Sequence, residues 1–171
     1  MWALLAAATA MAAGAAQAQV IEGVVTRVSD GDTVWMRPAP TADAPRPRPI
    51  KLRLLGIDAP ERCQAWGREA TAALKARVLG RTVAAQRRAT DDYGRGLVVL
   101  RLEGEDLGAW MVVHGHAWSY GWRASAGAYA AQQRQARAAG RGLFADPRAI
   151  EPRVFRKRHG PCDAPRRANK P

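Results

Sequence analysis

The chain has 171 residues, with 27 Lys and Arg against 15 Asp and Glu and a net charge of +12. That length allows one domain with a real core and leaves little room for a second. The positive excess favours an acidic polymer as partner, nucleic acid first; added solubility or attraction to an anionic envelope are the plainer alternatives.

The chain opens on MWALLAAATAMAAGAAQA, an uncharged, alanine-rich stretch that ends in a small-x-small pattern at Ala16-Gln17-Ala18. That reads as a signal peptide over residues 1–18, cleaved on export to the periplasm or the medium. Its start lacks Lys and Arg, which leaves a misplaced start or a short anchor as alternatives. The stretch is marginal for a membrane span and is interrupted by Gly14 and Gln17. No stable membrane insertion is therefore expected after cleavage.

Residues 19–146 read as the folded domain. Val20 to Ser29 and Thr33 to Arg37 alternate as two strands around the turn Asp30-Gly31-Asp32. The Pro-rich stretch 38–49 reads as an extended connection. Ile50 to Ile57 reads as one strand, stopped by Asp58-Ala59-Pro60-Glu61, where proline ends pairing. A helix is predicted from Arg68 to Leu79, with Ala70, Leu74 and Val78 on one stripe and Gly80 as its stop. Strands Thr82 to Ala89 and Leu97 to Leu102 flank the turn 91–96.

Asp106 is placed to cap a short helix running to His114, and a third helix is predicted over 127–139. Three strands, a helix, two strands and then helices form the order of a five-stranded Greek-key barrel of the oligonucleotide-binding (OB-fold) kind. The fold class is thus mainly β with about three helices, α+β. Residues 147–171 are Pro- and Arg-rich without periodicity and read as a basic, partly disordered tail.

Two cysteines, Cys63 and Cys162, suit one disulfide in an oxidising compartment; two free thiols are the alternative. A bridge would pin the tail across the barrel and hold its basic run near the strand ends.

The residues with chemistry gather at strand ends. Asp32 and Asp58 are candidate ligands for a hard cation, Ca²⁺ or Mg²⁺, since no His or Cys accompanies them. Asp30 is a candidate support for them. Glu61 follows a stiffening proline and is placed to reach an attacking water. Arg53 and Arg95 can each offer a forked donor pair to phosphate. A charge such as Arg53 inside an apolar run must find an anion or water. Trp118, Tyr120 and Trp122 alternate and can either stack on unpaired bases or pack in the core. His114, His116 and His159 fit no zinc-ligand spacing and are assigned no role.

Three stretches, DGDTV at 30–34, RLLGIDAPE at 53–61 and DDYGRG at 91–96, occur together in one order. On these the chain resembles the staphylococcal-nuclease (thermonuclease) family, from about Val20 to Phe144. The resemblance implies an OB-fold and a Ca²⁺-dependent endonuclease acting on DNA and RNA, preferring single-stranded or frayed regions. Its reaction attacks phosphorus, expels the 5′-oxygen and leaves 3′-phosphate ends. It further implies Ca²⁺ on Asp32, Asp58 and the backbone carbonyl of Ala59, where the best-known member has threonine. Catalytic roles fall on Arg53, Glu61 and Arg95, and a phosphate hydrogen bond on Tyr93. Asp92 stands where that member has a phosphate-touching lysine, so that contact is lost here. A monomer is expected. The alternative is a non-catalytic nucleic-acid-binding barrel, which would not need Asp32, Arg53, Asp58, Glu61 and Arg95 together.

Overall fold

A computed structural model describes residues 19–121, 125–160 and 162. The expected signal peptide, Trp122 and the tail beyond Cys162 lie outside the described residues. Strands β1 (Val20–Asp30), β2 (Thr33–Pro38) and β3 (Ile50–Leu54) pair antiparallel in succession. A two-residue strand, β4 (Ile57–Asp58), follows. Helix α1 (Gly67–Val78) then leads to β5 (Thr82–Thr90) and β6 (Gly96–Leu102). β5 pairs with β1, β6 with β5, and β6 returns parallel to β3, with Leu52 opposite Gly96 and Leu54 opposite Val98. These five long strands close a barrel. Register shifts in β1 between Val25 and Arg27 and between Val28 and Asp30 bend it enough to serve two neighbours.

The barrel interior is the alternate-residue face of the strands: Val25, Val34, Met36, Leu52, Leu54, Val83, Ala85, Val98 and Leu100 are buried. The predicted stripe of α1, Ala70, Leu74 and Val78, closes on it with no exposed surface. After β7 (Glu105–Asp106) comes α2 (Leu107–Val113), capped by the Asp106 carboxylate, which accepts from the Gly108 and Ala109 amides. Strand β8 (Trp118–Ser119) and helix α3 (Ala130–Ala138) complete this layer, and a 3-10 turn spans Gly142–Ala145.

Two elements differ from the sequence reading. The predicted strand 50–57 breaks at Leu55-Gly56, because Gly56 takes a left-handed φ of 78°. Ile57–Asp58 then pairs with Trp118–Ser119 in a sheet of its own. The break turns Asp58 inward at the barrel's edge. The second difference lies after Asp146. There, without any apolar period, helix α4 (Pro152–His159) forms with proline in its first turn. Arg156, Lys157, Arg158 and His159 fill its last turn, where the helix dipole favours positive charge.

A disulfide joins Cys63 to Cys162, whose Cα atoms are 5.6 Å apart, across 99 residues of sequence. Closing so long a loop restricts the unfolded chain. Cys162→Ser should therefore cost roughly 2–4 kcal/mol of stability. Denaturant titration with and without reductant checks this; superimposable curves for oxidised protein and variant would remove the bridge as a stabiliser. Among the described residues no helix is long and apolar enough to cross a membrane.

Candidate active site

The site begins at the turn between β1 and β2. Asp30 Oδ1 accepts from the Asp32 amide at 3.2 Å, an Asx turn that aims the Asp32 side chain inward. Gly31 must be glycine for this packing, since a Cβ there would lie 2.7 Å from the Ala59 side chain. Asp32 is 2% exposed and Asp58 3%. Two such carboxylates cannot stay buried without partners. Arg53, in β3, is that partner: Nη1 donates to Asp32 Oδ1 at 2.8 Å and Nη2 to Asp58 Oδ1 at 3.0 Å. Thr33 Oγ1 also donates to Asp32 Oδ1 at 2.9 Å, and the Ala59 amide to Asp32 Oδ2 at 3.2 Å.

The electrostatics are finely opposed. Burial pushes the Asp32 carboxyl up to about 7, against the pull of Arg53, and nearby Asp30 adds to the rise. Burial works against the Arg53 charge, yet Asp32 and Asp58 outweigh it and hold its pKa above the usual range. Two guanidiniums, Arg53 and Arg156 of α4, face three carboxylates, Asp32, Asp58 and Glu61, and leave the site one positive charge short. Among the described residues no set of three or more His, Cys, Asp or Glu side chains converges as a ligand cluster. The donors that do converge are the Asp32 and Asp58 carboxylates beside the Ala59 backbone. They are hard oxygens in a charge-deficient, buried setting, which fits a hard divalent cation.

Glu61 stands at the mouth, set by its loop. Its amide donates to Gln64 Oε1 at 3.2 Å and its carbonyl accepts from the Gln64 amide at 2.8 Å. The first residue of α1 presses on that carbonyl so closely that only Gly67 fits, since any Cβ there would collide with it. The Glu61 carboxylate is bound by Arg156 from α4, Nη1 to Oε1 at 2.9 Å. Arg156 also takes both oxygens of Asp58, at 3.1 Å and 2.9 Å. The sequence reading carried Arg156 only as part of the tail's basic run and gave it no role in the site; its signal there was the second cysteine six residues later.

Arg95 and Tyr93 come from the turn between β5 and β6. Asp91 holds Arg95, accepting from Nε at 2.7 Å and from its amide at 2.9 Å. The guanidinium lies over the Tyr93 ring, 5.2 Å from its centre, and that ring is exposed. Among the described residues no hydrogen bond or ion pair joins Arg95 to Asp32, Asp58 or Glu61. A cleft of about 940 Å³ links Arg95 to Asp58 and Glu61 instead, lined also by Arg53, Tyr93 and Arg156 but not by Asp32. Asp92 also lines it. Tyr120 opens onto the cleft, whereas Trp118 is buried edge-on to Phe144 at 5.0 Å with Arg137 over its face. Trp118 is a core residue, and Tyr120 keeps the exposed ring. His114 and His116 are not among the residues lining the cleft; His116 stacks on Trp66, and both rings sit tilted against Trp110.

The chain is similar to known proteins. The family model described as "Staphylococcal nuclease homologue" matches residues 51–146. An "Uncharacterized endonuclease" of Haemophilus influenzae is 35% identical over 78% of this chain and 71% of its own. "Protein ParB" of Escherichia coli is 36% identical over 91% of this chain and 92% of its own. A "Micrococcal nuclease" of Shigella flexneri is 32% identical over 79% and 80%. The matched segment carries Arg53, Asp58, Glu61 and Arg95 on a five-stranded barrel, and this chain belongs to the staphylococcal nuclease homologue family.

Proposed function

We propose that the protein is an exported, Ca²⁺-dependent endonuclease that hydrolyses phosphodiester bonds of DNA and RNA and leaves 3′-phosphate ends. One observation carries the reading: two buried carboxylates, Asp32 and Asp58, share the Arg53 guanidinium, which lines a cleft together with Asp58 and Glu61. A packing role would not place that much charge where burial opposes it. The printed names of the Haemophilus and Shigella relatives point the same way. Export to the periplasm or the medium is supported by the Cys63–Cys162 bridge, which suits an oxidising compartment.

Asp32, Asp58 and the Ala59 carbonyl are the residues that would hold Ca²⁺, which when bound neutralises phosphoryl charge. The remaining chemistry belongs to the side chains. Glu61 orients the attacking water and accepts its proton as the oxygen bonds to phosphorus. The bond from phosphorus to the 5′-oxygen breaks, that oxygen takes a proton from solvent water to become a 5′-hydroxyl, and the phosphate stays on the 3′-oxygen of the upstream fragment. Arg53 and Arg95 donate to the oxygens that gain charge. Asp91 engages Arg95 through Nε, which leaves the two terminal nitrogens for an anion. Tyr93 and Tyr120 offer ring faces and hydroxyls along the cleft.

The test is cleavage of single-stranded DNA, duplex DNA and RNA with added Ca²⁺, followed by mass analysis of the ends. Products ending in 3′-phosphate are expected, with single strands cut fastest. Intact substrate, or 3′-hydroxyl ends, would refute the reading. Arg53→Ala and Arg95→Ala should each lower turnover by at least about a hundredfold, the scale of one lost transition-state donor. Lysine at either position should recover little, because the fork is lost. Near-wild-type rates in folded variants would make both arginines structural.

A further inference from the structure

The cleft contains a third guanidinium that the family's motifs do not include. We propose that Arg156 is a substrate-phosphate binding residue, supplied by helix α4 and held in the cleft by the Cys63–Cys162 bridge. The proposal rests on the nuclease reading above and adds a residue to its site.

Arg156 spends all its observed hydrogen bonds on Asp58 and Glu61: Nη1 to Asp58 Oδ1 and Glu61 Oε1, and Nη2 to Asp58 Oδ2. Burial works against its charge, yet these bonds outweigh it and raise its pKa further. Both oxygens of Asp58 are thus covered by a group from the far end of the chain. A cation drawn to Asp32 and Asp58 must share Asp58 with Arg156. As Asp58 is given up, a half-buried guanidinium is left needing an anion. The anion that enters this cleft in a nuclease is the phosphodiester, and the Arg fork matches two of its oxygens.

A detachable plug would show the same ion pairs, but the fastening of α4 argues against one. Before the helix, the Ile150 carbonyl accepts from Gln64 Nε2 at 2.8 Å. After it, Cys162 is bonded to Cys63. Both anchors lie in the loop that carries Glu61, so the helix moves with the site and cannot swing clear of it. Only the long Arg156 side chain, 38% exposed, is free to turn from carboxylate to phosphate.

The experiment compares wild type, Arg156→Gln and Arg156→Lys. The probe is thymidine 3′-monophosphate, a product-like ligand that cannot be cut, titrated by calorimetry in saturating Ca²⁺. Arg156→Gln should weaken its binding roughly tenfold, the scale of one charge-assisted hydrogen-bonded contact, with Arg156→Lys in between. Ca²⁺ itself should bind Arg156→Gln at least as tightly as wild type. Unchanged or tighter nucleotide binding would overturn the proposal in favour of a plug. Weaker Ca²⁺ binding would overturn it in favour of a residue that only arranges the carboxylates. Wild-type protein that cuts no nucleic acid would overturn the nuclease reading and the proposal together; wild-type cleavage with an unaffected variant overturns the proposal alone.

Discussion

Removing divalent cation should lower the cleavage rate by at least about a thousandfold, since the positive charge it supplies is worth several kcal/mol in the transition state. The side chains cannot make up the loss. Arg53 is already committed to Asp32 and Asp58, and Arg156 to Asp58 and Glu61. Without a cation the pocket remains a set of mutually satisfied ion pairs with little field left for a phosphate. A chelator titration, with Ca²⁺ restored afterwards, checks the effect. A second measurement separates binding from turnover: Ca²⁺ should raise the melting temperature of wild type, and Asp32→Asn should abolish most of that shift. Full cleavage in excess chelator, or an equal shift in Asp32→Asn, would remove the metal assignment from this pair.

The barrel was legible because its strands alternate and its turns carry glycine, aspartate and proline at the required places. Ala70, Leu74 and Val78 were readable as a helix face because the apolar spacing is helical and the stripe is fully buried. Asp106 was readable as a cap because its carboxylate precedes the helix it serves. Gly56 was harder. Its left-handed φ splits an apolar run that has the composition of a single strand, and periodicity does not register one such residue. The partner of the second half, Trp118–Ser119, lies sixty residues on and is too short to show a period.

Helix α4 was illegible for a different reason. Its burial is slight, with Pro152 its only buried residue. A covalent bond, the Gln64 hydrogen bond and the Arg156 ion pairs dock it in place of an apolar stripe. Such a helix leaves no hydrophobic signature to read. The cysteine pair was the trace it did leave, since Cys63 lies two residues beyond Glu61. Trp118 shows the converse limit. Its alternation with Tyr120 and Trp122 suggests a shared face, but β8 ends at Ser119 and Trp118 turns into the core while Tyr120 faces the cleft.

Glu61→Gln should slow cleavage by roughly two to four orders of magnitude, the contribution of a positioned general base. The substitution isolates the proton-accepting role. Glutamine keeps the size and one carbonyl oxygen, so the bond from Arg156 Nη1, now 2.9 Å to Oε1, has an acceptor still. The backbone of residue 61 is fixed independently by Gln64 and by the close packing of Gly67, so the loop should hold its shape. Ca²⁺ affinity and oligonucleotide affinity should therefore stay within about threefold of wild type, less than one neutral hydrogen bond is worth. The rate loss should fall on kcat, with KM little changed. A variant that loses Ca²⁺ affinity instead would make Glu61 a ligand. A variant that loses oligonucleotide affinity would place its role in holding Arg156, because a merely structural carboxylate would act through that pair and not through the proton.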